Sequence, residues 1–236
     1  MMACDNGQEK ELNSLTGNVV SKVLESSIAL SPSMSLEEVQ ASGAVVISAD
    51  NKTHFAIGYQ QVSSNNQNPI LMRFDNGELT YARNDYEKSG DDGTGRGLLL
   101  NPSENTLYAV FTATGTQGDA GQDYRRFTAN GWQKSYGKGG GARVVVLAKI
   151  NPDNGEAVAG TFVTAELSNG NANSVAGTDL HLLTDNKIEL TAKSWFSPRN
   201  VDKSRMNCSG DSPFEYKITF DADLEEAVSA SAVNCQ

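Results

Sequence analysis

Short apolar runs separated by polar turns fill most of this chain, and apolar residues recur at every second position within many of them. Leu107, Ala109 and Phe111, or Ile188, Leu190 and Ala192, are examples. A period of two gives a strand one buried face, and Asp, Asn, Gly and Ser between such runs accept the tight conformations of hairpin turns. Two hairpin types recur. One reads strand, polar turn, strand at 28–42, 70–84, 145–164 and 216–231. The other begins with Gly at 43–59, 97–114 and 177–196, and turns at Asp50-Asn51, Glu104-Asn105 and Asp185-Asn186.

Two hairpins supply four strands, the content of one propeller blade, and the stretch 28–70 has blade length. The alternation resembles the bacterial seven-bladed β-propeller repeat, in which a short L-x-D…G hairpin precedes a D-x-x-G-N-x-Y-V-x-G hairpin. Asp185, Asn186 and the earlier turn pairs stand where that family places its Asp-Gly-Asn turn, and its terminal Gly survives as Gly58 and Gly115. The resemblance implies an all-β fold of repeated antiparallel hairpins, propeller-like in arrangement; a β-sandwich or irregular barrel accommodates the same hairpins. Seven hairpins give three and a half blades, fewer than usually close a ring. Strands before Ile28, an open stack or assembly of chains would each answer the shortfall. Residues 12–26, with Leu12, Leu15, Val19, Val23 and Leu24, also fit a helical face. The expected organisation is an N-terminal anchor or linker segment over 1–27 and the hairpin-repeat domain over 28–236.

Composition narrows the class. With 38% hydrophobic and 20% charged residues, the 236-residue chain has the balance of a folded domain. No run approaches the ~18 apolar residues of a membrane span, and no apolar stretch of a secretory signal is present, so any export signal is expected to have been removed. A formal charge of −10 argues against unspecific attraction to nucleic acid or an anionic membrane. Cys4 follows Met1, Met2 and Ala3 and precedes the polar run from Asp5 to Glu9. That arrangement resembles the cleavage region of bacterial lipoproteins, which implies a lipid on Cys4 as the sole membrane contact. Cys208 and Cys235 are expected to form a disulfide in an oxidising compartment. The expected location is exported, in the periplasm or at the cell surface.

Candidate chemistry gathers in two segments. Residues 124–143 carry five basic residues and no acidic one, residues 193–205 carry four against Asp202, and both tryptophans fall within them. Tyr124, Arg125, Arg126, Trp132, Lys134, Tyr136, Lys138, Trp195, Phe196, Arg199, Lys203 and Arg205 are therefore the candidate ligand-binding residues. Aromatic faces beside guanidinium and ammonium groups suit a flat or apolar ligand bearing negative charge, through stacking, cation–π contact and charge-assisted hydrogen bonds. An anionic glycan or an acidic protein segment answers that description. The competing reading is that the loops fold back, bury the tryptophans and pair the arginines with the acidic body. Asp91 and Asp92, in an acidic turn, offer oxygen ligands for calcium, and no cofactor is otherwise called for.

Enzymatic readings have less to stand on. The two histidines, His54 and His181, exclude a three-histidine metal site, and no G-x-S-x-G elbow occurs. The preferred expectation is an exported or surface-anchored binding module. A structural or assembly subunit using the same loops, oligomeric by its nature, is the alternative. A carboxylate-dependent glycoside hydrolase or lyase, using a pair such as Asp91 and Asp123, is the third.

Overall fold

The computed structural model describes residues 19–114, 118–139, 141 and 143–236. Strand β1 (Val20–Val23) precedes helix α1 (Leu36–Ala41). Three runs of four strands follow. The first comprises β2 (Val45–Ser48), β3 (Thr53–Ser63), β4 (Asn66–Asp75) and β5 (Glu78–Arg83), and the second β6 (Gly93–Asn101), β7 (Thr106–Ala113), β8 (Val144–Ile150) and β9 (Ala157–Val163). A short ribbon of β10 (Ala165–Glu166) and β11 (Ala172–Asn173) leads to the third: β12 (Val175–Leu182), β13 (Ile188–Ser194), β14 (Phe214–Phe220) and β15 (Ala227–Ala232). Each run is an antiparallel meander in chain order, and none closes into a barrel. β1 joins the second sheet beside β6, with Val20 opposite Leu100 and Val23 opposite Gly97.

The second sheet lies between the other two, and its sequence shows why. Its strands read as continuous apolar runs, such as Leu98-Leu99-Leu100 and Val144 to Leu147, because both faces are buried. Leu98, Leu100, Ala109, Phe111, Val144 and Val146 pack against Val45, Ile47, Phe55, Ile57 and Leu71 of the first sheet. Leu99, Tyr108, Val110, Val145 and Leu147 face Leu180, Ile188, Leu190, Tyr216, Ile218 and Phe220 of the third. The third sheet instead alternates along β13 and the first part of β14, turning Glu189, Lys193, Glu215 and Lys217 outward.

Six of the seven expected hairpins form as read. The exception is 28–42, which contains α1 in place of a hairpin. Ser35 and Glu38 close a reciprocal capping box, the serine hydroxyl accepting from the Glu38 amide (3.2 Å) and the glutamate carboxylate accepting from the Ser35 amide (2.8 Å). Val39 then covers the outer face of the first sheet with Leu30, Ala56, Ile70, Met72 and Phe74. Only Ala29 of this stretch bridges a strand, beside Tyr59, and a Cβ on Gly58 would collide with the Ile28 carbonyl at that crossing. The expected half blade is thus a helix, and the described residues form two four-stranded sheets, one five-stranded sheet that includes β1, and the short β10–β11 ribbon. The ambiguous stretch 12–26 contributes β1 from its described part, so residues 20–23 of the expected anchor or linker are sheet.

Candidate functional site

The hairpin turns of the three sheets gather at one edge and are tied across sheets. Arg73 pairs with Asp153 (3.1 Å), the Tyr81 hydroxyl donates to the Pro152 carbonyl (3.0 Å), Asn186 donates to Glu104 (3.1 Å) and Lys149 pairs with Asp223 (2.7 Å). The opposite edge carries the long connections β7–β8 and β13–β14. The β3–β4 connection is short: 60–68 is ladder down to the pair Ser63 and Asn66.

The structure divides the twelve candidate ligand residues. Tyr124, Trp132 and Tyr136 are buried, at 2%, 3% and 4% exposure. The Trp132 indole donates to the Val201 carbonyl (2.7 Å) and meets Phe220 edge to face at 5.7 Å, while Tyr136 packs edge to face on Phe162 at 5.9 Å. Arg125 pairs with Asp123 at 2.7 Å, Arg126 donates to the Tyr86 carbonyl at 3.0 Å, and Arg199 pairs with Glu166 at 2.6 Å while also donating to Thr164 (3.1 Å). These six side chains are thus committed to the fold: the three rings pack into the core, Arg125 braces its own connection, Arg126 ties it to the β5–β6 connection, and Arg199 ties the β13–β14 connection to β10. Lys134, Lys138, Lys203 and Arg205 are exposed on the same connections.

Trp195 and Phe196 stand apart from that group. They leave the end of β13 with 36% and 41% of their surface exposed. With Arg143, Ser174 and Ser212 they line a cleft of about 460 Å³. A second cleft of about 220 Å³ shares Trp195 and Arg143 and adds Glu25, Ser26, Ala176, Gly177, Thr178 and Lys193. The backbone fixes this corner: the Trp195 amide donates to the Ser174 carbonyl (3.2 Å), and the Val175 amide to the Arg143 carbonyl (3.0 Å). Lys193 pairs with Glu25 at 2.8 Å; each hydrogen-bonds the other, which lowers the carboxyl and raises the ammonium from their ordinary values. An indole, a phenyl ring, an exposed guanidinium and two hydroxyls thus border one concave surface. Lys193 belongs to the basic segment 193–205, whereas Ser174, Ser212 and Glu25 escape sequence reasoning because no composition signal marks them and they come from three separate segments.

The acidic turn of Asp91 and Asp92 meets the segment that carries Asp123. Asp91, Asp92 and Asp123 line one small cavity of about 10 Å³ together with Glu87, Ser89, Tyr124 and Tyr136. The Asp92 carboxylate accepts from the Gln67 amide (2.9 Å) and Asp123 is held by Arg125. Among the described residues, no three His, Cys, Asp or Glu side chains are grouped for a metal ion. Burial pushes the Glu87 carboxyl up to about 7. His54 lies on β3 and His181 on β12, in different sheets, and His181 pairs with Asp179 at 3.1 Å.

Cys208 and Cys235 form a disulfide, which accords with an oxidising compartment. Cys4 lies outside the described residues. Among the described residues, no helix is long and apolar enough to cross a membrane. Comparisons with protein-family models, curated proteins and solved structures returned no match.

Proposed function

We propose that this protein is an exported binding module whose ligand is an anionic glycan, held in the cleft of Trp195, Phe196 and Arg143. The observation that carries this reading is the exposure of two adjacent aromatic rings on a concave surface beside a guanidinium, in a protein that buries its other tryptophan. A sugar ring stacks on an indole face, its carboxylate or sulfate accepts from Arg143, and Ser174 and Ser212 offer hydroxyl partners to ring substituents. The body's net charge of −10 makes Arg143 a local rather than general attractor; a cationic ligand would meet its like charge in the cleft and a neutral one would forgo the guanidinium.

The architecture in this reading is propeller-like. The first strands β2, β6 and β12 all contact β1, as inner strands around an axis do, and the meanders follow one another as blades. The disulfide supports export, and the polar run after Cys4 supports a lipid anchor on that residue.

Calorimetry with sulfated or uronic-acid oligosaccharides tests the ligand class. Trp195→Ala is expected to weaken binding by roughly tenfold at any ionic strength, whereas Arg143→Ala weakens it most at low salt and little near 1 M. Unchanged affinity in both variants would sink the reading. The same exposed ring pair favours one other reading, an assembly surface; sedimentation showing a concentration-dependent oligomer that Trp195→Ala abolishes would support it.

A further inference from the structure

We propose that Glu87 is a buried proton switch, which in its neutral form holds the β5–β6 connection against the β7–β8 loop and in its ionised form loosens that joint. The connection links the first sheet to the second, and the loop is pressed directly on it. The Lys88 amide donates to the Gln122 carbonyl (2.8 Å), the Thr114 amide to the Asp92 carbonyl (3.1 Å), and a Cβ on Gly118 would collide with Ser89. Little slack is left to absorb a change at the carboxyl between them.

Glu87 is 2% exposed. One carboxyl oxygen accepts from the amide of Ser89 (2.6 Å) and from its hydroxyl. The other is buried without a hydrogen-bond partner, as is the Tyr136 hydroxyl lining the same cavity. About 10 Å³ is room for roughly one water and no more.

The surroundings oppose a second charge there. On its own connection Glu87 neighbours Asp91, Asp92 and the exposed Lys88; from the β7–β8 loop it faces Asp123, Tyr124 and Tyr136. Ala113 of β7 and Phe162 of β9 complete the wall without charge. The nearby cation, Arg125, is taken by Asp123 at 2.7 Å. A Glu87 carboxylate would therefore lie in low dielectric with the negative charges of Asp91 and Asp123 and no paired cation.

Burial, ahead of those two charges, raises the carboxyl to about 7. The folded chain then keeps this proton through a range in which the unfolded chain has lost it. The stability so gained is complete below the ordinary glutamate value and is lost as pH rises through about 7. The joint is tight in mild acid and loose above neutrality. The switch stands independently of the ligand reading, although the loop it governs runs on to Arg143.

The test is a carbon-detected carboxyl titration of the full-length protein, with amide exchange protection at Lys88 and Thr114, the two amides that donate across the joint, measured at pH 5.5 and 8.5. Glu87 is expected to titrate near 7, and protection at both amides to fall by about tenfold or more across that range in the wild type but not in Glu87→Gln. Titration at the ordinary glutamate value overturns the proposal, as does the same fall in protection in Glu87→Gln. Should that variant not fold, the wild-type titration decides alone.

Discussion

Trp132 and Trp195 sit in similar basic, aromatic stretches, and the chain treats them oppositely. The difference lies in two glycines. A Cβ on Gly131 would collide with the Gly160 carbonyl, and one on Gly160 would press on Phe127 at 2.9 Å, so the loop lies flat on β9 and delivers Trp132 into the core. A glycine inside a strand marks such a close approach, and Gly160 was the legible hint; its partner, 29 positions earlier, was not. Gly131→Ala is expected to cost about 2 kcal/mol in denaturant unfolding, since the added methyl meets backbone. The arginines divide in the same way. Arg125→Ala and Arg199→Ala each strand a carboxylate that is at least four-fifths buried, and are expected to lower stability by about 1–3 kcal/mol while leaving ligand affinity intact. Arg143→Ala is expected to do the reverse. Positive charge and aromaticity were readable from the residues, but the partners of the cations only in part: Asp123 stands beside Arg125 in sequence, whereas Glu166 reaches Arg199 only through the fold.

Elements were most legible where turn chemistry and alternation agreed. Asn76 and Gly77 both take positive φ (54° and 84°) between β4 and β5, and Asn105, Asp185 and Asn186 take it at the expected turn pairs. Residues 28–42 misled because Ile28, Leu30, Met34 and Leu36 are spaced evenly enough for a strand, while the stronger mark was Ser35-Leu36-Glu37-Glu38, a helix start. Ser35→Ala is expected to cost about 1 kcal/mol and to loosen the cover over Phe74 and Met72. Residues 60–68 are dominated by Gln, Asn and Ser, which carry no strand signal, yet Gln61 opposite Gln67 continues the ladder. The disulfide closes a sequence separation of 27 between the β13–β14 connection and the end of β15. Reducing it is expected to lower unfolding stability on the order of 3 kcal/mol, measured with and without reductant.

For the whole molecule, the sequence showed repeated hairpins but not how sheets stack. Runs such as Leu98-Leu99-Leu100 signal burial on both faces and so a central sheet, a distinction from the alternating β13 and β14 that becomes plain only when all three sheets are compared. The cleft was half legible: its rings and arginine come from basic segments, whereas its serines are brought in by the meeting of β12 and the β13–β14 connection. The central claim is that this cleft holds an anionic ligand and that the buried tryptophan does not. Fluorescence titration with sulfated and uronic-acid oligosaccharides, on the wild type and Trp195→Phe, tests it most directly. The account predicts that iodide reaches Trp195 and not Trp132 in the free protein, and that ligand produces a saturable emission change which Trp195→Phe abolishes. A change that persists in Trp195→Phe, or a Trp195 emission indifferent to every anionic glycan, would contradict it.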